Sequence, residues 1–332
     1  MLFETIQYFS QALKAMENDE RWNRQRTETL EILGGLYGFV AEHEMANECY
    51  LKAIGSTKDK TIKNRLQRKI RRKKIVENKG VRLTYYVYGK GAPTILFYCW
   101  RSSTEFWIPQ VTYLSQKCQV VTLDMRGTGN SDKTFGEYTI DVFADDLNSI
   151  IDALNVKNLI IVGSNYGTKI VVKYVTHYPR KISKLILLSF YPGPISSSPN
   201  FNEEMFEKWR QMALKSPSWF VDGFWKGAFP DPKLESLREW GLKSAKRTPP
   251  EIFRDGWYNI VKVDVRSLLK KIDVPTLIIG GDKDNFDIEN TKFLQEEIPN
   301  AERQIIRGIH SKLIPIFAAR KLNQIMENYL NI

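Results

Sequence analysis

The pattern of apolar and polar positions along the chain changes character near residue 75. Before that point apolar residues recur at helical spacing, and no strand-like run occurs. After it, short runs rich in Val, Ile and Leu alternate with amphipathic stretches. The predicted strands are Val81–Tyr88, Thr94–Tyr98, Val120–Asp124, Leu159–Val162, Leu185–Leu188 and Thr276–Ile279. The predicted helices are 106–117, 140–155, 168–178, 288–298 and 312–330.

This alternation predicts an α/β fold, in which a mostly parallel sheet is flanked by helices. The alternation stops between Tyr191 and about Lys271, a segment that holds five of the eight tryptophans. We predict a helical insertion over about 192–271. The predicted organisation is a helical segment over 1–76 that ends in a basic helix, followed by an α/β domain over 77–332.

The N-terminal helical segment contains a pattern of small and aromatic residues. Its positions are Leu30, Leu33, Gly34, Tyr37, Ala46, Tyr50 and Ala53. The spacing resembles a tetratricopeptide repeat, a helix pair in which small residues allow close approach and aromatic rings fill the gap. The terminal proline of that repeat is absent, and Lys58 stands near its place. The resemblance implies a protein partner that docks through residues 1–74.

The net charge of the chain is +11, which raises nucleic acid or an anionic membrane as partners. The surplus is local, because Lys58–Lys74 contains ten basic residues and one acidic residue, a net of +9. Two interpretations of this segment stay open: an anion-binding helix, or a solvated helix that packs through Ile62, Leu66 and Ile70. The segment lacks aromatic residues that could stack on bases, so we expect no nucleic-acid partner.

Composition and cysteine usage narrow the protein class. Hydrophobic residues make up 42% of the chain and charged residues 26%, a balance that excludes wholesale disorder. Three cysteines without paired spacing argue against a disulfide framework or a zinc site. The first residues lack the features of a signal peptide, and no apolar run approaches the roughly 18 residues of a membrane helix. We therefore expect a cytoplasmic protein with no membrane span, no metal and no cofactor.

Three segments after residue 78 resemble those of α/β-hydrolase-fold proteins. DMRGTGNSD at 124–132 is similar to the family's D-x-R-G-x-G-x-S loop, in which Arg126 ties loops together. IIVGSNYG at 160–167 is similar to the nucleophile elbow. LIIGGDKD at 277–284 and IIRGIH at 305–310 are similar to the strand ends that carry the acid and the histidine. The resemblance covers about 78–331, and it implies that the insertion at 192–271 is a cap over the active site.

The elbow of this chain departs from the family pattern at its central residue. The family motif G-x-Nuc-x-G places Ser, Asp or Cys between two glycines on a sharp strand-to-helix turn. Here Gly163 and Gly167 stand two residues before and two residues after Asn165. The corresponding positions around Ser164 are Val162 and Tyr166. An uncharged carboxamide is a poor nucleophile, so Asn165 occupies the nucleophile position without the usual chemistry.

The expected oxyanion loop also departs from the family pattern. Many family members have His-Gly after the third strand, where this chain has Tyr-Cys-Trp-Arg. The resemblance leaves the backbone N–H of Tyr166 as an oxyanion donor. Candidate oxyanion or substrate-binding residues are Cys99, Trp100 and Arg101 together with Tyr166. Arg101 either holds an anionic group or points to solvent, and Cys99 is either an alternative nucleophile or a buried, inert thiol.

The remaining two members of the family's catalytic set match. Asp284 and His310 follow the elbow in the family's chain order, and the resemblance implies that the carboxylate fixes the imidazole tautomer. The candidate catalytic residues are thus Asn165, Asp284 and His310. His310 is one of three histidines in the chain.

These residues support functions of different classes. The first is a non-classical hydrolase or base-driven enzyme, in which His310 and Asp284 activate water or remove a proton from a small, largely apolar substrate. The second is a catalytically silent hydrolase that acts as a ligand-binding or protein-interaction module. The third is a hydrolase inactivated by substitution of its nucleophile at Asn165.

Overall fold

The structure, a computed structural model, describes residues 2–16, 19–40, 42–99, 104–134, 136, 138–178, 182–197, 202–228, 231–283 and 285–332. Within these residues, no helix is long and apolar enough to cross a bilayer.

The chain begins with a layer of helices that has its own apolar core. These helices are α1 (Leu2–Ala15), α2 (Asn23–Phe39), α3 (His43–Ser56) and α4 (Lys60–Lys69). A Cβ on Gly34 would lie 2.6 Å from the ring of Tyr50, so the glycine allows α2 and α3 to approach closely. Leu33, Ala53 and Leu66 are buried in the same cluster. The packing follows the expected small-residue contact, and the assignment to a repeat family stays a prediction.

The basic segment divides between a helix and a strand. Asp59 caps α4 by accepting hydrogen bonds from two backbone N–H groups, and α4 ends at Lys69. Strand β1 begins at Arg72, so the prediction that the basic helix continues through residue 74 is wrong. The side chain of Asn47 exchanges two hydrogen bonds of 2.9 Å with the backbone of Arg71 and fixes the transition. The sheet thus starts five residues before the predicted domain start at 77.

Much of the basic charge in this segment is bound within the molecule. Glu31 of α2 accepts hydrogen bonds from Arg65 at 2.5 Å and Lys69 at 2.6 Å. Burial raises the pKa of Glu31, but these two cations outweigh it and hold the pKa below its ordinary value. The guanidinium of Arg71 lies 3.2 Å above the centre of the Tyr86 ring. These contacts favour the interpretation of a packed, solvated segment over an open anion-binding face.

The described residues form eight strands, which are β1 (Arg72–Asn78), β2 (Val81–Tyr88), β3 (Thr94–Cys99), β4 (Gln119–Asp124), β5 (Leu159–Ser164), β6 (Lys184–Leu188), β7 (Thr276–Gly281) and β8 (Ala301–Ile306). They form one sheet in the order β1-β2-β4-β3-β5-β6-β7-β8. Strands β3 to β8 are parallel, and β1 and β2 are antiparallel additions at one edge. The predicted mostly parallel sheet is confirmed.

Helices cover both faces of the sheet and build the insertion. The flanking helices are α5 (Ile108–Leu114), α6 (Ile140–Leu154), α7 (Gly167–His177), α13 (Asn285–Glu297), α14 (Ile314–Phe317) and α15 (Ala319–Leu330). Along β5 (Leu159–Ser164), Ile161 joins the core under α6 and α7, whereas Ile160 joins the core under α5 and α15. The insertion contains α8 (Glu203–Lys215), α9 (Pro217–Ala228), α10 (Glu235–Ala245), α11 (Pro250–Val261) and α12 (Arg266–Leu269). Central parallel strands read as continuous apolar runs because both of their faces are buried.

Candidate active site

The candidate site lies at the carboxyl edge of the parallel strands. In open α/β sheets this edge is where ligands bind, because the loops that leave the strands converge there. Asn165 directly follows β5, Ser189 directly follows β6, and His310 follows β8 by a short loop. The topology therefore gathers the candidate residues that the structure describes along one edge.

Asn165 occupies a sharp turn between β5 and α7. Its φ of +52° lies in the left-handed region, which Asn adopts more readily than most residues with a Cβ. Its backbone N–H donates to the carbonyl of Leu188 at 3.1 Å, and its carbonyl accepts from the N–H of Thr168 at 3.0 Å. A Cβ on Gly163 would lie 3.2 Å from the Thr168 side chain, so a glycine suits this position. The backbone thus has the strained strand-to-helix turn of an elbow.

The carboxamide of Asn165 is held between two hydroxyl groups. The Ser189 Oγ donates to its Oδ1 at 3.3 Å, and its Nδ2 donates to the Ser164 Oγ at 3.4 Å. Ser164 is buried and Ser189 is half-buried, with a φ of +52°. In this orientation the Nδ2 is the donor to Ser164, and an amide NH2 group has a second N–H for a ligand.

The loop after β8 carries His310 and bends back onto the neighbouring strand β7. The N–H of Gly308 donates to Asp282 Oδ1 at 2.5 Å, and the N–H of Lys283 donates to the carbonyl of Ile309 at 3.3 Å. The backbone of β8 is three strand spacings from β5, about 14 Å at the usual spacing. The bend therefore moves the half-buried His310 toward the elbow.

A glycine at the end of β7 makes this bend possible. A Cβ on Gly281 would collide with the carbonyl oxygen of Ile309, which the loop places directly against the strand. The N–H of Gly281 also donates to the buried Ser311 Oγ at 2.7 Å. The residue next to His310 is thus anchored to the sheet, so the backbone position of His310 is fixed by packing.

The loop after β4 acts as a brace. Arg126 makes two hydrogen bonds to the buried carboxylate of Asp146, at 2.5 and 2.6 Å. Asp124 accepts from the Tyr86 hydroxyl at 2.7 Å and from the N–H of Asn130 at 2.9 Å. The side chains of Arg126 and Asp124 thus make the hydrogen bonds that hold the loop in place. This agrees with the expected architectural role of Arg126.

Comparisons with known proteins agree with this geometry. A family model described as alpha/beta hydrolase fold matches residues 92–238. A non-heme chloroperoxidase of Kitasatospora aureofaciens is 27% identical over 250 residues, 69% of this chain and 88% of its own length. A 3-oxoadipate enol-lactonase of Acinetobacter baylyi is 27% identical over 259 residues, 74% of this chain and 94% of its own length. The crystal structure of a bromoperoxidase from Bacillus anthracis is similar with a TM-score of 0.71 and 26% identity, over 79% of this chain and 100% of its own.

The chain has the α/β-hydrolase fold. In this fold the elbow is a sharp turn from a strand to a helix. Asn165 lies on such a turn between β5 and α7, and His310 lies in the loop after β8. The roles of both residues stay predictions.

Of the other predicted site residues, the structure describes Cys99 and Tyr166. Trp100, Arg101 and Asp284 lie outside the described residues. Cys99 ends β3, is 8% exposed, and stands directly opposite Ser164 in the sheet register. Tyr166 is half-buried and immediately precedes α7.

Sequence reasoning missed several residues that shape this edge of the hydrolase fold. They are Ser189, which contacts the elbow amide; Asp282 and Ser311, which anchor the histidine loop; and Lys169, which is buried where the helical insertion meets α7. Ser189 and Asp282 directly follow β6 and β7, so the carboxyl-edge rule for parallel strands could have found them. The burial of Lys169 depends on the tertiary packing of the insertion and has no local signal. Within the described residues, no group of three potential ligands is placed to hold a metal ion.

Proposed function

We propose that this protein is a base-driven enzyme of the α/β-hydrolase fold that acts on a small, largely apolar substrate. The observation that carries this proposal is the fixed position of the His310 loop against the end of β7, on the same sheet edge as Asn165. A histidine suits a general base because its pKa is ordinarily near neutrality. The relatives named as a chloroperoxidase and an enol-lactonase are consistent with small organic substrates.

In this proposal the imidazole of His310 accepts a proton from a water molecule, and the water oxygen bonds to an electrophilic carbon of the substrate. The bond between that carbon and its leaving group breaks, and the imidazolium gives its proton to the departing group. Asp284 orients the imidazole, as the family resemblance implies. The second N–H of the Asn165 Nδ2 donates to the substrate oxygen on which charge develops, and the N–H of Tyr166 contributes as an oxyanion donor.

A second candidate function is ligand binding without turnover. It is favoured by the carboxamide of Asn165, whose two ends already have hydroxyl partners in Ser164 and Ser189. A carboxamide held in one orientation can act as a fixed hydrogen-bonding group that recognises a ligand. In this candidate the N-terminal helices would present the ligand-bound state to a protein partner.

The test compares turnover of p-nitrophenyl esters and an epoxide panel by the wild-type chain and four variants. They are His310→Ala, Asn165→Ser, Asn165→Asp and the matched control His177→Ala, which changes an exposed histidine on α7. Wild-type turnover that is lost in His310→Ala and kept in His177→Ala is the expected result.

Turnover that appears only in Asn165→Ser or Asn165→Asp would contradict the base-driven mechanism and indicate a substituted nucleophile. No turnover in any variant, combined with saturable binding of a substrate analogue, would favour the binding function.

A further inference from the structure

Lys169 is a buried lysine on the helix that leaves the elbow. It lies four residues after Asn165, in the first turn of α7, and it is 0% exposed. A buried ammonium or amine is costly unless its N–H groups have partners. The contacts of this side chain therefore indicate what it does.

The amine of Lys169 contacts the chain at the start of the insertion and at the end of α11, between α11 and α12. Among the described residues, its Nζ donates to the carbonyls of Gly193 at 2.7 Å and Val263 at 2.8 Å. Longer contacts of 3.4 and 3.3 Å reach the carbonyls of Ile260 and Val261. We call 190–194 the entering stem and 260–265 the leaving stem. The two shortest hydrogen bonds of the amine go to different stems.

The leaving stem needs such a partner because it contains the end of a helix. The last carbonyls of α11, which ends at Val261, have no partners within the helix, and they carry its partial negative charge. The N–H groups of a lysine amine can donate to carbonyls of this kind. A direct backbone bond also joins the stems, from the N–H of Val265 to the carbonyl of Pro192 at 2.9 Å.

We propose that Lys169 is a clamp that holds both stems of the cap to the elbow helix, so that the cap and the elbow move as one body. Without the amine, the Val265 bond would still join the stems to each other. The hydrogen bonds from the stems to α7 through this side chain would be lost. The clamp does not depend on turnover at the site.

The test measures amide hydrogen exchange in the full chain at pH 8, with Lys169→Met as the main variant. Methionine keeps a similar length and removes the amine. The matched control is Lys173→Met, one turn further along α7, which removes an ion pair of 2.8 Å with the exposed Asp141. The reporters are the amides of Val263 and Val265, which bond within and between the stems.

The expected result is exchange at least tenfold faster at both reporters in Lys169→Met, with β5 amides unchanged. Lys173→Met should exchange as the wild type does. Unchanged reporters in Lys169→Met would overturn the proposal, as would equal acceleration of the stems and β5.

If Lys169→Met does not fold, wild-type exchange in increasing denaturant replaces it. Stem reporters that are as protected as β5 amides are then expected. Stems that open well before the sheet would contradict a clamp.

Discussion

At the scale of single residues, the site combines a strained backbone with a neutral side chain. Asn165 keeps the left-handed turn that places an elbow residue at the tip of a strand, yet its carboxamide is bound by Ser164 and Ser189. Asn is among the residues that adopt positive φ most readily. The backbone requirement of the elbow is therefore met although the nucleophile is missing.

Substitutions at Asn165 should separate the contribution of its backbone conformation to stability from that of its side-chain hydrogen bonds. We expect Asn165→Val to lower the free energy of unfolding by about 1–2 kcal/mol, because a β-branched residue is disfavoured at positive φ. Asn165→Gly should have a much smaller effect, because glycine adopts this φ without strain. Urea denaturation measures both values. Equal destabilisation by Val and Gly would show that the side-chain hydrogen bonds dominate.

At the scale of elements, the sequence pattern predicted the central strands and missed the two edge strands. Strands β3 and β5 are buried on both faces and appear as apolar runs. Strand β1 contains Arg72, Lys73 and Lys74, and β8 alternates exposed and half-buried positions. An edge strand carries charged residues because its outer side faces water, so its apolar signal is weak. For this reason the sequence pattern extends the preceding helix into the basic residues of β1.

The same distinction explains what could be predicted of the site. The glycines at 163 and 167 are local signals of a tight turn, and they predicted the place of Asn165 in the chain. The return of the His310 loop onto β7 depends on contacts between segments far apart in sequence, such as Gly281 with Ser311. The motif spacing predicts the order of the site residues along the chain. It carries no information about a contact between Gly281 and Ser311.

A methyl group on Gly281 should displace the histidine loop. We expect Gly281→Ala to lower the free energy of unfolding by about 1–3 kcal/mol, because its Cβ would meet the Ile309 carbonyl. The exchange of the Gly308 amide should accelerate as its bond to Asp282 is lost. Gly136→Ala is the control, since a Cβ at Gly136 meets no described atom within 4 Å. A Gly281→Ala variant as stable as Gly136→Ala would contradict the steric argument.

At the scale of the whole molecule, the buried amine of Lys169 on α7 donates to the chain at both stems of the helical insertion. Burial is the main cause that lowers the pKa of Lys169 from its ordinary value of 10.5 to about 7. The charge of Asp264 opposes this shift, and the charge of Arg266 adds to it. Between pH 7 and pH 10.5, Lys169 has therefore lost its proton in the folded chain and keeps it in the unfolded chain. This group's contribution to stability is fully present above pH 10.5 and declines as the pH falls toward 7.

The pH dependence can be isolated by comparison with Lys169→Met, which has no proton to release. We expect the difference in the free energy of unfolding between wild type and variant to shift in favour of wild type by about 1.4 kcal/mol per pH unit from pH 7.5 to 9. Between pH 5.5 and 6.5 the difference should be constant. Urea titrations at these pH values measure it. A difference that does not change from pH 7.5 to 9 would show that the lysine keeps its ordinary pKa.

The junction at Arg71 also affects how the chain meets proteases. The segment from Lys58 to Lys74 contains ten of the residues after which trypsin cuts. A protease must hold its substrate as an extended, unpaired strand, but Asn47 binds the backbone of Arg71, and β1 is paired with β2 along its length. Residues 71–74, the densest part of this run, are therefore held in hydrogen bonds that a protease would have to break before it could cut there.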